Sequence, residues 1–153
     1  MQAAGIDVGK ANLDLAVDGE SGVVRFANSR AGIGKLVKRL EAMVANRIVV
    51  EATGGYEEPL LEACCDAGLW IARVNPRQAR DFARATGELA KTDAIDARLL
   101  ALMARMFGDH LRRHVAPPAW QRELRDWLRR RGQVVVLIQA RSSRPPCVSF
   151  PGR

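Results

Sequence analysis

The chain has 153 residues, of which 48% are apolar and 27% charged, and its formal net charge is +7. This length and composition are those of a globular protein with one main domain and its own core. No apolar run approaches the ~20 residues that a membrane span needs, and the start lacks the pattern of a signal peptide, so we expect a cytoplasmic protein without membrane contact.

The first 27 residues predict three short strands, at 3–8, 12–17 and 22–27. Polar and apolar residues alternate over 12–17, which is typical of a half-buried strand. Gly9 and the segment 19–22 supply turn residues between the strands. Closely spaced strands with short turns predict an antiparallel meander.

From residue 31 the apolar residues recur at helical spacing, and helices then alternate with strands. Helices are predicted at 31–45, 57–67, 77–87, 92–107 and 119–131, and strands at 47–51 and 69–74. The strand at 47–51 is a continuous apolar run, which favours burial on both faces and parallel neighbours. A meander that leads into parallel strands predicts an α/β domain of ribonuclease-H type, with a mixed sheet flanked by helices and an additional C-terminal helix.

The charge is distributed unevenly. Residues 1–111 contain 14 Lys/Arg and 15 Asp/Glu, a balance of −1, whereas residues 112–153 contain 10 Arg and 2 acidic residues, a balance of +8. We therefore expect a main domain at 1–111, a basic helix at 112–131 and an irregular tail at 132–153. The basic end indicates a polyanionic partner, although a solvated arginine-rich tail without a partner is the alternative.

Four acidic residues are candidates for a catalytic metal site. Asp7 lies inside the first strand, Glu51 ends a buried strand, and Asp93 and Asp96 lie near the start of one helix. Buried carboxylates are costly unless they are paired or bind a cation, and oxygen ligands suit Mg²⁺ or Mn²⁺. Two such ions can stabilise both the attacking and the leaving oxygens of a phosphodiester.

Each acid also has an ordinary structural interpretation. Asp7 and Glu51 could be strand-end residues next to turns, Asp93 could belong to a helix cap, and Asp96 could be a solvated neighbour of Arg98. The three cysteines lack the spacing of a zinc site or a disulfide framework, and Cys64 and Cys65 are expected to be buried or half-buried helix residues.

Three segments resemble the N-terminal domain of the DEDD transposases: GIDVGKANLDLAVDG, VVEATGGYEEPL and VNPRQARDFARATGELAKTDAIDARLLALMA. The resemblance covers residues 4 to about 131. It implies a RuvC-like ribonuclease-H fold, a metal-dependent insertion-sequence recombinase acting on DNA, and a structured guide RNA. It also implies that the four metal-binding catalytic acids are Asp7, Glu51, Asp93 and Asp96.

The chain departs from the family pattern near Gly132. Family members continue through a long coiled-coil helix into a second domain with a serine nucleophile, and no such domain is recognisable up to Arg153. We therefore expect a truncated element with a disordered or frameshifted tail, unable to complete recombination alone. The alternative function is a non-catalytic nucleic-acid-binding or assembly remnant.

Two further sets of residues are candidates for contacts with partners. The apolar stripe of the helix at 119–131, which includes Trp120 and Trp127, predicts a helical homo-oligomer interface. Arginine is favoured for phosphate contacts, although a solvated helix face remains the alternative for these residues. The candidate nucleic-acid-binding residues are Arg77, Arg80, Arg84, Arg98, Arg129, Arg130 and Arg131.

Overall fold

The computed structural model describes residues 2–87 and 93–142, with the backbone alone at 93–95, 119, 122, 125 and 142. The chain divides into two compact units, Met1–Ala116 and Pro117–Arg153. Among the described residues, no helix combines the length and the apolar character required to cross a lipid bilayer.

The first unit contains a mixed five-stranded sheet. Its strands are β1 (Gln2–Val8), β2 (Asn12–Val17), β3 (Val23–Ala27), β4 (Ala45–Glu51) and β5 (Ile71–Val74). Their order across the sheet is β3-β2-β1-β4-β5. The first three strands pair antiparallel, whereas β4 is parallel to both β1 and β5. This arrangement confirms the predicted meander that leads into parallel strands.

Helices cover both faces of this sheet. They are α1 (Arg30–Ala42), α2 (Glu58–Asp66), α3 (Pro76–Thr86) and α4 (Asp93–Phe107), with a short 3-10 turn at Gly108–His110. Residues of α1 and α2 share one buried cluster with Ile6 and Val50. Residues of α3 and α4 share another with Ala3 and Val49, which face the other side of the same two strands. Successive strand residues face opposite sides, so the sheet separates two apolar layers.

Local sequence explains where these helices begin and end. Ser29 caps α1 by accepting a hydrogen bond from the Gly32 amide. Asn75 and Gln78 form a reciprocal capping box at the start of α3, and Gly87 ends that helix with a φ of 79°. These are the residue types that satisfy unpaired helix-end amides and adopt left-handed backbone at low cost.

The two cysteines of α2 are structural residues, as the sequence indicates. Cys64 is fully buried, and its burial raises the pKa of the thiol to about 12. Cys65 is less buried, but burial also raises the pKa of its thiol. Neither thiol is activated, because a reactive cysteine requires a lowered pKa.

The close approach of α4 to β1 depends on Gly5. A Cβ at this position would overlap the Ala97 carbonyl oxygen and the Ala101 amide nitrogen. A second contact gives the helix direction: Arg105, near the end of α4, forms an ion pair with Asp18, and the Asp18 amide donates to the Ala3 carbonyl. The helix therefore runs antiparallel to β1, and its N-terminal end lies towards Asp7.

The second unit contains α5, which spans Ala119–Ser142. The irregular structure predicted from residue 132 is therefore wrong for residues 132–142, while residues 143–153 lie outside the described part of the chain. A glycine inside a helix costs only about 1 kcal/mol relative to alanine, so Gly132 does not end the helix. The apolar stripe also continues past it, because at 100° per residue Val134, Val135 and Ile138 fall on the face of Trp120.

We expect Gly5→Ala to destabilise the protein by about 3 kcal/mol or more, because two backbone segments must separate to admit the methyl group. The matched control is Gly34→Ala on the open face of α1, where nothing lies within 4 Å of the new Cβ. This change should be neutral or stabilising by up to about 1 kcal/mol, since alanine is the better helix former. Urea unfolding of both variants measures the difference, and similar stabilities would contradict the tight packing of α4 on β1.

Candidate functional site

Asp7 and Glu51 occupy equivalent positions on neighbouring parallel strands. Ile6 is in register with Val50, so Asp7 and Glu51, the next residues of β1 and β4, lie side by side in one cross-strand row of the sheet. Both carboxylates belong to the face that carries α3 and α4, because Ala3 and Val49 on the same alternation pack against those helices. Both are half-buried. The sheet thus brings two of the four candidate acids side by side at one edge.

The other two candidate acids lie at the start of α4. Because the helix runs antiparallel to β1, its first turn, which contains Asp93 and Asp96, lies at the Asp7 end of the strand. Asp96 is half-buried, and the side chain of Asp93 is outside the described residues. A helix N-terminus carries partial positive charge, which favours nearby carboxylates.

The row on this face contains a third carboxylate that the sequence did not single out. Asp14 lies directly opposite Asp7 on β2 and is only 4% exposed. Arg25, its cross-strand partner on β3, donates to both carboxylate oxygens at 2.7 Å. The alternation of β2 places Asp14 on the polar face of a strand that we expected to be half-buried. The signal that could have identified it is its predicted pairing with Asp7 across a short hairpin.

The carboxylate donors suit a hard divalent cation chemically, but the described side chains alone do not complete a metal site. Among them, no three His, Cys, Asp or Glu residues lie close enough together to hold one ion. This finding does not include Asp93, because its side chain is outside the described residues. The residues present fit Mg²⁺ or Mn²⁺ in donor chemistry, in half-burial and in their shared edge of the sheet.

The loop after Glu51 is held by a second carboxylate that the sequence did not identify. Glu57 is 3% exposed, and its Oε2 accepts hydrogen bonds from the amides of Thr53 at 3.0 Å and Gly55 at 2.9 Å. The guanidinium of Arg73 lies 3.6 Å from its other oxygen. Gly54 and Gly55 have positive φ values of 65° and 99°, which suit glycine. The buried acid therefore fixes a glycine turn next to the candidate site.

Asn28 connects the loops that follow the two carboxylate-bearing strands. Its Nδ2 donates to the Gly9 carbonyl at 2.9 Å and to the Tyr56 carbonyl at 3.2 Å. Gly9 follows β1 and Tyr56 follows β4, so one side chain links the chain segments beyond Asp7 and Glu51. This link limits the independent movement of the two loops.

The candidate arginines of the first unit lie in two places. Arg77, Arg80 and Arg84 are exposed on α3, which begins two residues after Val74, the register partner of Glu51. Asp81 lies 3.8 Å from Arg77 and 3.6 Å from Arg84, and such exposed pairs hold side chains weakly. The helix that carries these arginines therefore begins near the carboxylate edge, and their side chains remain accessible to a partner.

Arg98 and the α5 arginines are placed differently. Arg98 donates to the Ser21 carbonyl in the β2–β3 turn, at the end of the sheet opposite to Asp7. Arg129, Arg130 and Arg131 are exposed on α5, which belongs to the second unit. The Arg98 side chain is therefore directed away from the carboxylates, whereas α3 begins near them, so the α3 arginines are the better candidates for phosphate contacts at this edge.

The fold is similar to that of solved RuvC structures. The chain is similar to the RuvC of T. thermophilus in complex with a Holliday junction substrate, with a TM-score of 0.54 and 17% identity. It is also similar to another structure of Thermus thermophilus RuvC, with a TM-score of 0.50 and 18% identity. Each match covers 72% of this chain and 96% of the RuvC chain. These likenesses define a RuvC-like, ribonuclease-H-type fold, as the sequence predicts.

The sequence match to a transposase family is more specific. The family model DEDD_Tnp_IS110, described as a transposase, matches residues 4–144. The chain therefore belongs to the DEDD transposase family of IS110 type. The match continues past residue 131, where the sequence resemblance was expected to end. No curated protein sequence matches the chain.

We expect Glu57→Ala to destabilise the protein by about 2–4 kcal/mol, because two part-buried amides lose a charged acceptor. Hydrogen exchange at the Thr53 and Gly55 amides should accelerate, while exchange within β1 should change only with global stability. The control is Glu41→Ala on the exposed side of α1, with an expected effect within about 0.5 kcal/mol. Unchanged protection of the two loop amides would show that Glu57 does not hold the turn.

Proposed function

We propose that the first unit is a metal-dependent nucleic-acid-processing domain of a transposase, acting on DNA phosphodiesters with Asp7, Glu51, Asp93 and Asp96 as ligands of Mg²⁺ or Mn²⁺. One observation carries the proposal: Asp7 and Glu51 extend the same row of neighbouring parallel strands, at the edge towards which the first turn of α4 is directed. DNA as the substrate is supported by the transposase family and by the similar fold of a RuvC that was solved with a Holliday junction substrate.

The residues of this chain have separable tasks in the proposed mechanism. Asp7 and Glu51 provide oxygen ligands from a rigid sheet edge, and α4 contributes Asp93 and Asp96 from its first turn. When bound, the divalent ions stabilise charge on the attacking and leaving oxygens of the phosphodiester. Gly54 and Gly55 lack side chains, so a phosphate backbone can approach this edge closely, and Glu57 keeps their turn in one conformation.

The family resemblance extends the proposal to a guide RNA. In such a system a structured RNA pairs with donor and target DNA, and the protein binds the backbones of both nucleic acids. The exposed arginines of α3 and α5 provide charge for these contacts without base specificity.

A non-catalytic nucleic-acid-binding or assembly domain is the second candidate. It is favoured by the finding that the described side chains alone form no three-residue metal cluster. Metal binding by the intact chain distinguishes the two candidates, because only the catalytic one requires it.

We expect Mg²⁺ or Mn²⁺ to raise the melting temperature of the wild-type protein, because a ligand that binds only the folded state stabilises it. At a metal concentration of about 100 times the Kd this stabilisation is about 2.7 kcal/mol, equivalent to a shift of several degrees. Asp7→Asn should remove most of the shift, whereas Asp109→Asn, at an exposed carboxylate paired with Arg47, should retain it. Equal shifts in all three proteins would contradict the assignment of Asp7, and no shift in any of them would favour the non-catalytic candidate.

We expect salt-sensitive binding to duplex DNA and structured RNA, because arginine–phosphate contacts release counterions. Replacing Arg77, Arg80 and Arg84 with Gln should reduce the slope of log affinity against log salt by up to about three on duplex DNA, since each contact contributes ~0.9. The matched control replaces Lys35, Lys38 and Arg39 with Gln, which removes the same charge from the exposed face of α1 across the sheet. Equal loss of slope in both variants would indicate general attraction rather than an α3 contact surface.

We expect self-association through α5. Trp120 and Trp127 are 61% and 67% exposed, and Leu124 and Leu128 lie on the same stripe with more than half of their surface exposed. Large apolar patches of this kind mark interfaces. Sedimentation at tens of micromolar should give a larger mass for the wild type than for Trp120→Ala/Trp127→Ala.

The control for self-association is Val136→Ala, because Val136 is 63% exposed on the opposite side of α5. This variant should sediment like the wild type. A monomeric wild type would exclude the interface, and equal loss of mass in the control would place the interface elsewhere on the helix.

A further inference from the structure

Asp14 and Arg25 form a partly buried ion pair next to the candidate metal site, and none of the proposed ligand assignments uses it. Asp14 has 5% of its side-chain surface exposed, and Arg25 has 57%. The pair is bidentate, with both N–H···O distances at 2.7 Å. It lies in the same cross-strand row as Asp7 and Glu51, on the face that carries α4.

That face is fixed by two independent contacts. Ala16, two residues from Asp14 on β2, is buried against Ala97 and Ala101 of α4. Val23, two residues from Arg25 on β3, packs against the same cluster. Side chains two residues apart in a strand share a face, so Asp14 and Arg25 lie on the side of the proposed ligands.

The distance to Asp7 makes the charge of Asp14 relevant to the site. Directly opposed residues of antiparallel strands have Cβ atoms about 4.5–5.5 Å apart. At such separations a unit charge in a partly buried setting interacts appreciably with a divalent ion. Without Arg25, the row would carry three adjacent negative charges, on Asp14, Asp7 and Glu51.

We propose that Asp14 and Arg25 act together as a charge-neutral positioning pair for the metal site, a role that rests on the proposed metal-dependent function. Arg25 occupies both oxygens of Asp14 and keeps that carboxylate out of metal coordination. Asp14 in turn cancels the field of the guanidinium, which would otherwise repel a divalent cation from Asp7. The pair thereby limits the ligand set to the four proposed acids and sets the affinity of the site for the ion.

A charge-balancing role and a purely structural role predict different effects of the substitutions on metal affinity. Asp14→Asn removes a negative charge, leaves the positive charge of Arg25 beside the site, and should weaken Mn²⁺ binding about tenfold at low salt. Adding Arg25→Gln removes that positive charge and should restore affinity to within about twofold of the wild type. A purely structural pair predicts instead that the double variant binds no better than the single one.

The experiment measures Mn²⁺ affinity of the full chain by electron paramagnetic resonance of the free ion, at pH 7.5 and low salt. The proteins are the wild type, Asp14→Asn, Arg25→Gln and the double variant, with far-UV circular dichroism to establish folding. The matched control is Asp18→Asn, because Asp18 forms an ion pair with Arg105 at 3.1 Å at the other end of the same strands. Its affinity should equal that of the wild type.

Each outcome supports or overturns the proposal. Weakening by Asp14→Asn with recovery in the double variant supports it, and unchanged affinity in Asp14→Asn, or no recovery, overturns it. If Asp14→Asn fails to fold, the Mn²⁺ affinities of Arg25→Gln and of the double variant decide. Affinity equal to or higher than that of the wild type in both variants supports the proposal. Weaker binding in both variants overturns it. A wild type that binds no Mn²⁺ contradicts the proposed metal-dependent function itself, which separates the two failures.

Discussion

The contact between Gly5 of β1 and the backbone of α4 is the constraint on which the arrangement of the site depends. Because no side chain separates them, the helix lies directly on the strand. Its direction follows from Ala97 and Ala101 against Gly5 and from the ion pair of Arg105 with Asp18 near the start of β1. This packing brings the first turn of α4 to the edge of the sheet where Asp7 and Glu51 lie half-buried. A bulkier residue at position 5 would displace the helix and separate the two pairs of candidate acids.

The acidic residues near the candidate site fall into two classes that differ in their burial. Asp14 and Glu57 are the buried charged residues among those that the structure describes, and each has strong permanent donors: Arg25 for Asp14, and two backbone amides for Glu57. Asp7 and Glu51 are half-buried at the sheet edge, where a cation from solvent can reach them. Burial of a charge is costly without compensation, which explains the strong donors of Asp14 and Glu57, and the half-buried Asp7 and Glu51 are the candidates for ligand binding.

The α5 unit obeys a different constraint. A helix of 24 residues usually gains most of its stability from packing of an apolar face, and on α5 that face has Trp120, Trp127 and Leu128 largely exposed. Extension of the helix through Gly132 lengthens the stripe by about two turns, with Arg131 in its middle. Helix propensity alone predicts that the helix ends at Gly132. The cost of one glycine is small, however, and the helical periodicity continues at Val134, Val135 and Ile138, which favours a longer helix.

The sequence by itself determined the order and type of the elements, because period-two and period-3.6 apolar patterns are local signals that need no knowledge of neighbours. It also determined the family and the candidate acids Asp7, Glu51, Asp93 and Asp96, through motifs contained in short segments. Only the tertiary structure decided that Asp14 is buried against Arg25, that Glu57 holds the glycine turn, and that Arg98 is directed to the far end of the sheet. These facts depend on strand register and on helix packing across residues distant in sequence, and a polar residue in a strand does not by itself reveal whether its face is covered by a helix or by water.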